Sequence, residues 1–330
     1  MKIPRIDLSG WAPSETWENL LKVWSAAGIR GLILPVGLSQ NSGKDLDEIS
    51  ALMEHAKTNE LQAWIVLPIL NNRSLYEQHE EERPRHRHGK QFDFPAWFAP
   101  ICPSSRRIRN LISEILSNPL ISLPYDVLLL DYLRIPYFWE KWGNTVPESE
   151  WPPFCYCERC VNDFHAETGL YLDFATPEQW QRWQCSVILD LLGQLQKEVK
   201  QARPRISLGV QVLPLVSQMD RSIRSEWIGQ NLRALQKYAD FFSPQLYSNL
   251  LDWHEDELLS YLVQFVNHER MPVIPSFQVS PTRWDRGVDE SSQNIRRLKR
   301  RLRPLGIESA TLFHAKNLSS LAEIVRILGD

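Results

Sequence analysis

Three of the five cysteines in this 330-residue chain fall within six positions, in the run Phe154-Cys155-Tyr156-Cys157-Glu158-Arg159-Cys160. Thiolates at such spacing are soft ligands for a metal on a single loop. Structural zinc takes four ligands, and Cys102, in Ile101-Cys102-Pro103, is the expected fourth. A shell of four cysteines leaves no open position for water or substrate, so the set Cys102, Cys155, Cys157 and Cys160 predicts a structural zinc clamp rather than a catalytic centre. Cys185 sits among apolar positions of a helical pattern and reads as a buried thiol. His86 and His88 read as part of a charged loop. The stretch from Gly37 to Lys44 is no phosphate loop: it has five residues between its glycines, and Asp45 where Ser or Thr is needed.

The second chemistry-bearing stretch is Leu130-Asp131-Tyr132-Leu133-Arg134-Ile135-Pro136, followed by Tyr137, Phe138, Trp139 and Trp142. A carboxylate and a guanidinium beside aromatic rings suit a carbohydrate, whose C–H faces stack on rings and whose hydroxyls need fixed polar partners. Glycoside hydrolysis uses two carboxyl groups, about 5–5.5 Å apart in retaining enzymes and about 6.5–9.5 Å apart in inverting ones. Asp131 is the first. Asp285 is the expected second, with Asp7, Asp220, Asp252 and Glu140 as alternatives. Tyr132, Arg134, Tyr247, Gln278, His314 and Trp11 are the expected substrate-binding side chains, and Trp64, Gln211, Gln245 and Lys316 are further polar or aromatic residues near strands.

These residues must be held by an alternating framework. Eight apolar β-type runs, at 3–8, 30–35, 61–69, 125–131, 206–213, 240–247, 272–279 and 309–314, lack strict alternation, as parallel strands covered on both faces do. Helical patterns separate them, at about 14–27, 44–58, 104–117, 177–202, 221–238, 255–268, 288–303 and 317–328. The clearest start is Thr176-Pro177-Glu178-Gln179, a capping box with proline at the first helical position. Eight βα units predict an α/β fold, a single-domain (β/α)8 TIM barrel spanning 1–330. Its two long βα insertions, at about 70–103 and 132–175, carry the cysteines to the C-terminal face, where barrel enzymes build their sites.

The pattern of Cys102-Pro103-Ser104-Ser105, a strand ending in Asp131, and Cys155-x-Cys157-x-x-Cys160 resembles the zinc-loop region of family 42 β-galactosidases. That likeness implies a structural zinc on a barrel. That family carries Asp-Asn-Glu after the strand, with the Glu as general acid; here the acid position falls on Leu133, and the strand-7 nucleophile position falls near Gln278. The LDYxRxP run is closer to hypothetical glycoside-hydrolase-like barrel families, a resemblance that extends from about 60 to 315. It implies a glycoside hydrolase acting through Asp131. The alternative is a non-catalytic carbohydrate-binding barrel that lacks the second carboxylate.

A net charge of −3 gives no reason to expect nucleic acid or an anionic membrane as partner. No apolar run approaches the ~20 residues of a membrane span. The absence of a secretory signal pattern at the start predicts a cytoplasmic protein with reduced thiols.

Overall fold

The computed structural model describes residues 5–7, 17–26, 28–37, 43–89, 94–118, 120–146, 154–268, 271–278 and 300–313. All eight expected strands form. They are β1 (Arg5–Asp7), β2 (Gly31–Pro35), β3 (Gln62–Pro68), β4 (Val127–Asp131), β6 (Ser207–Val212), β8 (Phe241–Leu246), β9 (Ser276–Gln278) and β10 (Thr311–Phe313). Between them run α1 (Trp17–Ala26), α2 (Gly43–Thr58), α3 (Arg73–Gln78), α4 (Arg106–Ser117), α5 (Trp139–Trp142), α6 (Glu158–Thr168), α7 (Pro177–Ala202), α8 (Leu232–Leu235), α9 (Ser248–Leu251) and α10 (Glu255–His268). The strands pair in parallel in the order β1-β10-β9-β8-β6-β4-β3-β2, and β1 also pairs with β2, so the curled sheet returns on itself.

The register sorts side chains into two populations. Leu32, Leu34, Ile65, Leu67, Leu128, Leu130, Leu208, Val210, Phe242, Leu246, Phe277 and Leu312 join the large core shared with the helices. Their alternates Ile33, Trp64, Val66, Val127, Leu129 and Phe241 pack together as a separate small core inside the curl. Continuing the alternation toward the C-terminal strand ends, Asp131, Gln211, Gln245 and Gln278 lie on the inner face above that apolar plug. Trp64, expected near the site, is part of the plug instead, 5.5 Å from the Phe241 ring.

The helix expected over 221–238 is broken. A 3-10 turn covers Ser225–Ile228 and α8 begins only at Leu232, capped by Asn231, whose side chain accepts from the Ala234 N–H. Gly229 is the cause: it sits at φ +80°, and a Cβ there would approach Ile188 Cγ1 to 2.7 Å. By contrast α7 starts at the expected capping box, with the Thr176 side chain accepting from Gln179 N and Gln179 reaching back to Thr176 N. The two long insertions hold structure of their own. Besides α3, α5 and α6, β5 (Thr145–Val146) pairs in parallel with β7 (Val216–Ser217), which ties the insertion after β4 to the segment after β6. The helix expected at 317–328 and most of that at 288–303 lie outside the described residues.

Candidate active site and cysteine cluster

β4 ends abruptly at Asp131. Tyr132 turns into the left-handed region (φ +53°), its N–H donates to Asp131 Oδ1 at 2.7 Å, and its carbonyl accepts from Arg134 N at 2.9 Å. This reversal buries Arg134 (4% exposed), whose Nη1 donates to the Tyr137 carbonyl at 3.0 Å while the guanidinium lies 4.8 Å from the Tyr132 ring centre. Leu133, at the family 42 acid position, is fully buried in the helix-side core. The folded-back chain then forms α5, which carries Glu140.

Two carboxyl groups therefore share one electrostatic environment. Burial pushes Asp131 up to about 6, against the attraction of Arg134 and the Tyr132 N–H bond. Burial pushes Glu140 up to about 7; Arg134 opposes the shift and the Asp131 charge adds to it. Both carboxylates also raise the Tyr132 phenol, which burial already raises. Glu140 is one of several alternatives in the sequence, and Arg134, Asp131 and Tyr132 are the titratable groups it is coupled to electrostatically. Asp220 and Asp252 are exposed, and hydrogen bonds from Ser222 hold Asp220 down at about 2. Asp285, Trp11, His314 and Lys316 lie outside the described residues, as does the Asp7 side chain.

An aromatic wall stands beside this pair. Phe98 stacks on Phe138 (5.2 Å, 19°) and lies 6.0 Å from Tyr132, while Trp97 is 36% exposed at the edge. In a second aromatic group, Tyr247 stacks on Phe313 (4.8 Å, 11°) and packs 5.7 Å from Trp139, the neighbour of Glu140 in sequence. Gln278 is buried at the end of β9.

The four cysteines converge as their spacing predicts. Their Sγ atoms all lie within 4.8 Å of one another, and Cys102 is 3.4 Å from both Cys157 and Cys160. Tetrahedral thiolate ligation requires sulfur–sulfur edges of about 3.8 Å, so this group could hold a metal ion. Cys157 caps α6 and Cys160 lies in its first turn, at the positive end of the helix. Arg85 N–H donates to Cys155 Sγ at 3.4 Å, and the Cys102 N–H donates to the Glu82 carbonyl at 2.8 Å. Buried Glu82 in turn pairs with Arg159 (2.8 Å) and Arg107 (3.3 Å). Both insertions thus meet at the cluster. Cys185 stands apart, bonded to the Glu226 carbonyl at 3.3 Å. The His88 N–H donates to His86 Nδ1 at 3.1 Å, and neither imidazole belongs to the cluster.

No protein-family model matches this chain, and no curated protein matches it. Solved structures do. The PgaB (BpsB) glycoside hydrolase domain from Bordetella bronchiseptica aligns over 100% of this chain and 99% of its own, with a TM-score of 0.72 at 15% identity. A β-galactosidase from Halorubrum lacusprofundi aligns over 97% of this chain with a TM-score of 0.71 at 12% identity, but this chain covers only 53% of it. The catalytic domain of a β-amylase from Paenibacillus polymyxa gives a TM-score of 0.65 at 11% identity, over 99% of this chain and 98% of its own. The fold is glycoside-hydrolase-like. At these identities the likeness is one of fold alone. Among the described residues, no helix is long and apolar enough to cross a membrane.

Proposed function

We propose that this chain is a glycoside hydrolase built as one (β/α)8 barrel domain, with Asp131 and Glu140 as its two carboxyl groups and a zinc ion in the cysteine cluster as a structural clamp. The observation that carries this reading is the pair itself: two raised carboxyl groups, Asp131 at the end of β4 and Glu140 on α5, are coupled electrostatically to each other and to buried Arg134 in a glycoside-hydrolase-like fold. Their different environments divide the work. Glu140, at about 7, is about half protonated at neutral pH and serves as general acid to the leaving oxygen. Asp131, at about 6, is largely ionised there and serves as base or nucleophile, steadied by Arg134. The aromatic wall supplies stacking faces for the sugar. Asp285 remains the alternative second carboxylate from the sequence.

Aryl glycosides of several sugars, assayed with the wild type, Asp131→Asn and Glu140→Gln, test this. Each variant is expected to lose about 10²–10⁴-fold in kcat. The wild-type rate is expected to peak between pH 6 and 7, because below about 6 Asp131 takes up its proton and above about 7 Glu140 loses its own. Unchanged turnover in either variant rejects that residue's role. The second reading, a non-catalytic carbohydrate-binding barrel, is favoured by buried Gln278, an amide near the position where the resemblance to family 42 looks for an acid. Sugar binding without turnover would establish it.

A further inference from the structure

The inner face around Asp131 holds an arrangement that goes beyond the two carboxyl groups. One end of the Gln211 side-chain amide, on β6, lies 2.8 and 3.0 Å from the two carboxylate oxygens of Asp131. The same end lies 2.9 Å from the Gln245 amide, on β8. The three side chains come from β4, β6 and β8, which are neighbours in the sheet. The backbone under Gln211 is pinned: buried Gln230 donates to the Gln211 carbonyl at 2.8 Å and to the Leu133 carbonyl at 3.3 Å, and accepts from Leu213 N.

An amide has one accepting and one donating end, and the geometry requires a single end of Gln211 to serve both neighbours. Two arrangements follow from the protonation state of Asp131. With the Gln211 oxygen inward, it accepts from the Gln245 NH2 and from the O–H of protonated Asp131. With the Gln211 NH2 inward, one hydrogen goes to ionised Asp131 and the other to the Gln245 oxygen. The two differ by one proton on Asp131 and by the reversal of both amides. With Asp131 ionised, a Gln211 oxygen turned inward would set acceptor against carboxylate at about 3 Å, the unsatisfied situation that polar networks avoid; with Asp131 protonated, turning that oxygen inward gives the O–H its acceptor.

We infer that Gln211 and Gln245 are positioning residues for Asp131, forming a two-amide relay that reverses as Asp131 gains or loses its proton. The other titratable or charged groups facing Asp131 among the described residues are Arg134, Tyr132 and Glu140. The inward end of the Gln211 amide meets Asp131 on one side and Gln245 on the other, so the relay reads Asp131. Its catalytic consequence rests on the proposed function; the relay itself does not. In a base or nucleophile, the relay holds the carboxylate rotamer fixed through both protonation states of the cycle.

The test is a pH titration of the whole protein by NMR, with 15N in glutamine side chains and 13C in aspartate carboxyls. Signals are assigned by Gln211→Met, Gln245→Met and Asp131→Asn. In the wild type, the side-chain NH2 signals of Gln211 and Gln245 are expected to move with the same midpoint as the Asp131 carboxyl, and to stop moving in Asp131→Asn. In Gln211→Met the Gln245 signal is expected to become flat, while the Asp131 midpoint rises by about one pH unit as the ionised form loses its donor. Static amide signals in the wild type from pH 4 to 9, or a Gln245 signal that still titrates without Gln211, overturn the relay. Because this titration needs no substrate, a chain that turns over no glycoside yet shows the coupled midpoints defeats the hydrolase reading and leaves the relay standing. If the relay serves catalysis, Gln211→Met lowers kcat with KM unchanged and moves the acidic limb of the rate profile to higher pH.

Discussion

At the level of single residues, the chemistry depends on where burial leaves a charge. Asp131 and Glu140 are both raised, to about 6 and about 7 from ordinary values of 3.8 and 4.5, so folding favours their protonated forms. The stability this brings is complete below about pH 4 and is lost as the pH rises through 6 and 7. Replacing either carboxyl by its amide removes that group's share of the dependence. The Asn of Asp131→Asn still accepts the Tyr132 N–H and can donate to Gln211, as the protonated acid does. Asp131→Asn is therefore expected to be more stable than the wild type at pH 8, by on the order of 1–3 kcal/mol, and equal to it near pH 4; calorimetry at the two pH values checks it. A variant no more stable at pH 8 would mean that Asp131 is ionised without penalty. Asp131 was legible in the sequence because a charged residue closes an otherwise apolar strand. Gln211 and Gln245 were visible only as polar interruptions of apolar runs. Glu140 was one of several loop acids, because its electrostatic coupling to Asp131 follows the chain reversal at Tyr132 and the buried Arg134, neither of which leaves a local signature.

At the level of elements, the eight strands were legible because parallel strands packed on both faces read as unbroken apolar runs. Helices α7 and α10 run over the expected residues because α7's capping box and α10's apolar face are local. The segment 221–238 defeated the same reasoning: its periodicity is helical, but Gly229 supplies a backbone turn that lets the chain pass against Ile188 and Ile135. Which face of each strand turns inward is likewise a tertiary fact. It is visible at Gly209 of β6, where the Phe241 ring of β8 lies directly over the missing side chain. Gly209→Ala would set a methyl group within the envelope of that ring, and Phe241 is itself packed against Trp64, 5.5 Å away. The expected outcome is a loss of about 1–3 kcal/mol by denaturant unfolding, since the plug beneath the site has no room to relax. Gly209→Ala combined with Phe241→Leu should recover part of that loss. If the single variant unfolds at the wild-type midpoint, the inner plug is not packed as described.

At the scale of the whole molecule, the two insertions frame the inner end of the sheet, and the cysteine cluster joins them. Cys102 closes the first insertion; Cys155, Cys157 and Cys160 belong to the second. Around them, Arg85, Glu82, Arg107 and Arg159 form contacts that bridge the insertions and α4. The candidate site draws on both insertions: α5 with Glu140 belongs to the one that carries Cys155, Cys157 and Cys160, and Phe98 and Trp97 come from the first. A metal in the cluster would thus act on the candidate site from outside it, by fixing the two insertions that carry its residues. Zinc is expected at one ion per chain by elemental analysis, and Cys102→Ser is expected to lose it. Removing the metal exchanges four metal–sulfur bonds for weak thiol contacts, so chelation or Cys102→Ser should lower Tm by on the order of 5–10 °C. The strands should persist, because the apolar plug inside the curl is separate from the core that the cysteines join. Far-ultraviolet circular dichroism should change little at 25 °C, while limited proteolysis should cut within 70–103 and 132–175 first. Zinc held as tightly by Cys102→Ser as by the wild type would remove Cys102 from the ligand set. Loss of metal with unchanged Tm and unchanged cleavage would show that the cysteines do not clamp the walls, and that the ion pairs of Glu82 with Arg107 and Arg159 hold the insertions together without them.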